Sequence, residues 1–110
     1  MFSPEMKKGS MEMLILSMLA EGESHGYEVG KQIEQRSGGT IEFRISTLYS
    51  VLYRMEKSGW IKGHWVENTG ERRRCYYRLT PSGRKVLAAQ EKNWRKFVGV
   101  VDDLLGSTNG

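Results

Sequence analysis

Apolar residues recur at helical spacing in four stretches of this chain and alternate with polar ones near its middle. Met11, Leu14, Ile15, Met18 and Leu19 form the stripe of a first helix that stops near Gly22. Ser24 stands where it would cap a second, which buries Val29 and Ile33 and runs out at Gly38 and Gly39. In that helix Gly26 and Gly30 lie one turn apart and leave room for a neighbouring helix to come close. Leu48, Val51, Leu52 and Met55 fall at i, i+3, i+4 and i+7, the buried stripe of a third helix, with Ser46 placed to cap it and Gly59 to end it. A fourth starts at Thr80 and Pro81, and its periodicity carries to Leu105, about 37 Å at the standard rise.

Between the third and fourth helices the period changes to two. Residues 60–67 are rich in β-formers, Asn68, Thr69 and Gly70 make a turn, and residues 73–79 read as the return strand. Alternation puts Cys75, Tyr77 and Leu79 on one face and Arg74, Tyr76 and Arg78 on the other. Trp65 shares a face with Ile61 and is expected to pack on the core. Residues 40–45 also alternate, which predicts a brief strand on the hairpin's edge. The order is helix, helix, short strand, helix, hairpin, helix: mainly α with a small β-hairpin. A chain of 110 residues has enough for one core but not two.

The outward face of the third helix carries the first chemistry of interest. Thr47, Ser50, Arg54 and Lys57 lie opposite the buried stripe, with Tyr49 and Tyr53 on its flank. Hydroxyls, phenols and cations of this kind reach phosphates and base edges, though a single such helix, taken alone, is more readily read as the solvated side of a core helix. Charge distribution separates the two readings. Residues 44–96 hold 13 Lys or Arg against 4 acids, a balance of +9, while residues 1–43 carry −3 and residues 97–110 carry −2, which makes the overall +4. Arg72, Arg73 and Arg74 concentrate that charge beside the hairpin turn. A polyanion is the natural partner of so basic a middle. An anionic membrane fits less well, because the cations sit on a hairpin and a short helix instead of one long amphipathic helix.

Several motifs identify a family that the chain resembles. Gly26-Tyr27-Glu28, Thr47-Leu48-Tyr49, the run from Leu52-Tyr53-Arg54-Met55-Glu56-Lys57 through Ser58-Gly59-Trp60-Ile61, and the run from Arg72-Arg73-Arg74-Cys75-Tyr76-Tyr77 through Arg78-Leu79-Thr80-Pro81-Ser82-Gly83 are similar to those of short PadR-type winged-helix transcriptional regulators. Ser46 and Ser50 depart from that pattern, in which Gly precedes and Pro follows Thr-Leu-Tyr, and the departure bears on which bases or phosphates the helix's first turn touches. The resemblance implies a winged helix-turn-helix over residues 1–80 and a C-terminal dimerisation helix with a short tail over residues 81–110. It implies a homodimeric repressor whose third helix enters the major groove of double-stranded DNA and whose wing lies along the backbone or minor groove. By that carry-over Thr47, Tyr49, Ser50, Tyr53, Arg54 and Lys57 face the groove, and Arg72, Arg73 and Arg74 serve the wing. Arg54 is the strongest single choice on chemical grounds, since a guanidinium pairs bidentately with guanine or phosphate. Tyr49 is balanced between groove contact and half-buried packing.

The fourth helix carries the case for a dimer. Leu87, Trp94 and Val101 are spaced by seven, Gln90, Phe97 and Leu104 form the companion row, and Val98 and Leu105 widen the stripe. A second copy of the same helix is the simplest cover for an apolar seam of this length, with the first helix of each copy joining it. Folding back on its own core is the other option, which the length disfavours from Trp94 onward; Gly99 marks a bend or close crossing. By the resemblance, Trp94 also takes the place of tryptophans that wall a central pore, where its indole would stack on a planar aromatic effector. Packing is the plainer role for Trp94, and more so for Trp65. Sensing of pH by His25 or His64 is weaker still.

Other chemistries find little support. The two aspartates, Asp102 and Asp103, stand near the C-terminus, no Ser or Cys has a His and acid partner, and one Cys with two His set 39 residues apart gives no metal spacing. Residues 26–31 fail as a phosphate loop, with three residues between the glycines instead of four and Gln32 after the lysine. Cys75, alone, reads as a small core residue. No cofactor is implied. No apolar run is long enough to span a membrane and residues 1–10 lack a secretory core, so a cytoplasmic location is expected. The reading from a different class is a protein-interaction adaptor whose basic face meets an acidic protein without sequence-specific DNA binding.

Overall fold

The computed structural model describes residues 4–67 and 73–106. Four helices, α1 (Pro4–Ala20), α2 (Gly26–Arg36), α3 (Ile45–Lys57) and α4 (Pro81–Leu105), surround an antiparallel sheet of β1 (Ser24–His25), β2 (Ile61–Val66) and β3 (Arg74–Leu79) in the order β1-β3-β2. Turn residues 68–70 and Arg72 lie outside the described residues.

The core forms where the apolar stripes of α1, α2 and α3 meet the base of the hairpin. Ile15, Leu16, Leu19, Val29, Ile33, Leu48, Val51, Leu52, Met55, Ile61, Tyr77 and Leu79 are buried there, with Met11, Leu14 and Met18 at its edge. Leu16, outside the stripe read from spacing, is fully buried because α1 is covered on more than one side, by α2, α4 and β3. Gly26 and Gly30 bring α2 against α3 as their spacing predicts. A Cβ on Gly26 would lie 2.8 Å from the Tyr49 ring and 2.9 Å from Leu52, and one on Gly30 would lie 3.0 Å from Leu48. Gly38 and Gly59 turn the chain out of α2 and α3 at φ of 66° and 81°. At the same end of α1 and α2, Arg36 grips Glu21 through two hydrogen bonds of 2.7 and 2.5 Å, which holds the Glu21 carboxyl below its ordinary range.

Local details differ from the sequence reading in four places. Residues 40–45 form no strand before α3 begins. The β3 edge they would have joined is taken by β1, with Ser24 opposite Tyr77 and His25 opposite Tyr76, and Ile41 and Phe43 pack on the core instead. Because α2 begins at Gly26, directly after β1, its cap is His25 and not Ser24, and the His25 Nδ1 accepts from the Glu28 amide at 3.3 Å. The third helix starts two residues earlier than a Ser46 cap allows. Arg44 is its N-terminal boundary residue, with its carbonyl accepting from Leu48 and no side-chain cap. Trp65 does not pack on the core. Its face is buried at Ile61 and at Tyr77, which lies over Gly63, but the hairpin runs past the body of the molecule and leaves Trp65 60% exposed.

The junction of hairpin and α4 is tightly built. Thr80 Oγ1 accepts from the Gly83 amide at 2.9 Å, capping α4 as expected, and donates to the Gly59 and Trp60 carbonyls at 2.7 and 3.0 Å. Gly83 sits so close beneath that a Cβ would fall 2.0 Å from the Trp60 carbonyl oxygen. Burial, and then the Cys75 thiol beside it, push the Tyr77 phenol above its usual range, so it stays neutral in the folded state. Gly83→Ala is expected to cost about 3 kcal/mol, since backbone cannot yield as a side chain would. Thr80→Ala should cost about 1 kcal/mol through removal of the cap. Urea denaturation of both variants measures these changes, and equal midpoints for Gly83→Ala and the parent chain would refute the first.

Candidate nucleic-acid interface

With Leu48, Val51, Leu52 and Met55 turned inward, the opposite side of α3 has to face water. Ser46, Ser50, Tyr53 and Lys57, at intervals of four, three and four residues, occupy the middle of that side, and all four are exposed. Tyr53 is 64% exposed and the Lys57 ammonium lies 5.6 Å from its ring centroid, a cation–π contact that steadies both side chains. The two flanks are different in kind. Tyr49 and Glu56 lie toward α2 and the wing: the Tyr49 ring rests over Gly26 with 41% of the residue exposed, and Glu56 accepts from the Gly63 amide at 3.1 Å. Thr47, half-buried, and Arg54 lie on the flank toward α1, where Arg54 Nη2 meets Glu12 Oε2 at 3.3 Å. Of the residues read from the sequence, Ser50 and Lys57 hold the middle of this side as expected, and Tyr53 stands there and not on the flank. Thr47 and Arg54 stand on a flank and not opposite the buried stripe, because α1 covers that edge; Tyr49 also serves as packing.

The wing distributes its cations over two surfaces. Arg73 folds back on the exposed indole of Trp65, its guanidinium carbon 5.1 Å from the ring centroid, with Nε 3.7 Å from Glu67. Arg74 Nη1 lies 2.9 Å from His25 Nε2, so the wing strand is tied to the start of α2. The plane of that imidazole stands edge-on to Tyr76 at 5.4 Å. His64 stacks on the same Tyr76 at 6.2 Å and meets Glu23 at 3.4 Å. On the outer face Lys62 is directly opposite Arg78, both exposed. Neither has a salt bridge among the described residues. Two like charges placed across a strand pair repel unless an anion comes between them. Lys62 was not singled out from the sequence. Its alternation with Ile61 assigns it to the outer face, but only the strand register sets it against Arg78.

Toward its C-terminus, α4 leaves the body of the molecule and carries apolar groups into solvent. Leu87 belongs to the chain's own core, against which it packs together with Val86, and Val98 and Val101 are half-buried. Trp94, Phe97, Val100, Leu104 and Leu105 are exposed, Leu104 at 82%. Trp94 and Phe97 stand 6.3 Å apart and, with Met13 of α1, Gln90 and Asn93, line an open groove. None of the described helices is long and apolar enough to cross a membrane.

This arrangement is found in known proteins. Residues 15–89 match the family model of PadR-like transcriptional regulators. The structure of a transcriptional regulator from Clostridium thermocellum superposes with a TM-score of 0.86 at 36% identity, over 94% of this chain and 97% of that one. A PadR family transcriptional regulator from Eggerthella lenta gives 0.83 at 33% identity, over 96% and 88%. A PadR-like transcriptional regulator from Bacillus cereus gives 0.79 at 27% identity, over 92% and 96%. With the family model matched across the helix-turn-helix, the hairpin and the start of α4, this chain belongs to the PadR-like family and is a DNA-binding transcriptional regulator.

Proposed function

We propose that the chain acts in the cytoplasm as a homodimeric repressor on a palindromic operator, with α3 of each copy in the major groove and the wing along the flanking backbone. The observation that carries this reading is the outward side of α3, where Ser46, Ser50, Tyr53 and Lys57 stand exposed in one stripe, and the wing adds the cationic pair Lys62 and Arg78. The serines and Tyr53 offer hydrogen bonds to base edges, and the lysines and Arg78 offer charge to phosphates. Thr47, Tyr49 and Arg54 extend the interface along both flanks, and Arg73 and Arg74 extend it along the wing.

Dimerisation is supported by the far half of α4, where Trp94, Phe97, Val100, Leu104 and Leu105 leave a large apolar surface open to water. Two-fold pairing of that surface would set the recognition helices about one turn of DNA apart, roughly 34 Å. A planar aromatic effector is supported by the groove at Trp94 and Phe97, where an indole and a phenyl ring offer stacking faces. An occupant there would alter the spacing of the two reading heads and release the operator.

Selection of bound fragments from random duplexes, followed by footprinting, tests the reading, and recovery of no preferred sequence would refute it. Once an operator is in hand, replacing Arg73 and Arg74 by Gln is expected to weaken operator and unrelated duplex alike. It should also lower the salt slope by about one for each phosphate no longer neutralised. A drop confined to the operator would move those residues from backbone to base recognition. Phe97→Asp together with Leu104→Asp should yield a folded monomer in sedimentation and reduce operator affinity at least about a hundredfold, since a monomer engages a single half-site. A dimer that survives both changes would exclude α4 as the interface.

A further inference from the structure

Glu12 is an acid placed on a surface that otherwise favours anions. It stands on α1, outside the helix-turn-helix pair and the wing, and its Oε2 lies 3.3 Å from Nη2 of Arg54, a residue 42 positions later in the chain. Arg54 keeps 62% of its side chain in solvent, whereas Glu12 keeps 32%. The carboxylate is thus the better supported partner, and the turn of α1 that follows it, Ile15 and Leu16, is fully buried. Glu56, the nearest acid in sequence, is engaged by the Gly63 amide on the opposite flank, so among the described residues Glu12 is the acid in ion-pair contact with Arg54.

We infer that Glu12 is a positioning residue for DNA discrimination, acting through Arg54. A guanidinium has five N–H donors and Glu12 engages one nitrogen, which leaves donors free for a base edge. An exposed arginine otherwise loses rotamer freedom when it meets its base, a cost that a carboxylate already holding it removes in advance. The same carboxylate repels phosphates. That repulsion lowers affinity for every duplex alike, while the held guanidinium raises affinity only where a base accepts it. Both effects act in one direction: Glu12 trades strength of binding for choice of sequence. The inference rests on the reading of Arg54 as a groove contact.

The test compares full-length parent, Glu12→Ala, Arg54→Ala and the double variant, titrated with the selected operator and with an unrelated duplex of equal length. Glu12→Ala is expected to tighten the unrelated duplex slightly and to reduce the ratio of the two affinities about tenfold. Arg54→Ala should reduce the ratio at least as much, and adding Glu12→Ala to it should change the ratio no further. A merely structural role for Glu12 would lower the thermal midpoint and weaken both duplexes in proportion, leaving the ratio as in the parent; that result overturns the inference. So does an equal fall in ratio with and without Arg54. If Arg54→Ala leaves the ratio intact, the groove contact and the role of Glu12 both fall. If Arg54→Ala damages it while Glu12→Ala does not, only the role of Glu12 falls.

Discussion

The close approach of α2 and α3 is the constraint on which the interface depends. Without side chains at Gly26 and Gly30, the two helices sit near enough for Tyr49, Leu52 and Leu48 to fill the gap, and α3 is held with one side fully inward. A rigid helix whose apolar side is used up in this way has one orientation. Its polar side then projects from the surface at a set angle, which is what reading a groove requires. The same packing explains why Tyr49 serves two ends, covering a glycine while part of its ring remains in solvent.

Charge on the molecule is more selective than the net balance of the middle segment. Part of it is internally matched: Arg54 by Glu12, Arg73 by Glu67, and Arg36 by Glu21. Exposed pairs of this kind add little stability, so their effect is mainly on direction, fixing where a long side chain points. Lys57, Lys62 and Arg78 have no salt-bridge partner among the described residues. Of the thirteen basic residues of that segment, Arg54, Arg73 and Arg95 are paired with acids, and Lys57 on α3 and Lys62 and Arg78 on the wing are among those left to meet a polyanion.

Helix α1 joins the separate parts. Its buried residues complete the core under α2 and the sheet, Met13 lies in the groove with Trp94 and Phe97, and Glu12 next to it reaches α3. The element that packs along α4 is thus the same one that touches α3, with no loop between Met13 and Glu12. At the other end of α4, Thr80 and Gly83 lock the helix to the base of the hairpin, so its projecting half leaves the body in a fixed direction.

Periodicity alone determined the four helices, the hairpin, its inner and outer faces, the close helix crossing at Gly26 and Gly30, and the cap at Thr80. Each of these follows from residues within a few positions of one another, where local geometry decides. Family motifs added the winged-helix reading. Tertiary structure decided what depends on distant partners: that β1 and not residues 40–45 occupies the β3 edge, with α2 starting directly after it at Gly26 under a His25 cap. It decided that Trp65 lies beyond the core, because the reach of a hairpin past the body is set by the packing beneath it. It divided the α4 stripe into residues covered by the chain itself, such as Leu87, and residues left open, such as Phe97 and Leu104. It paired Lys62 with Arg78 and Glu12 with Arg54, since spacing along a strand or helix tells which face a charge occupies but not which charge stands across from it.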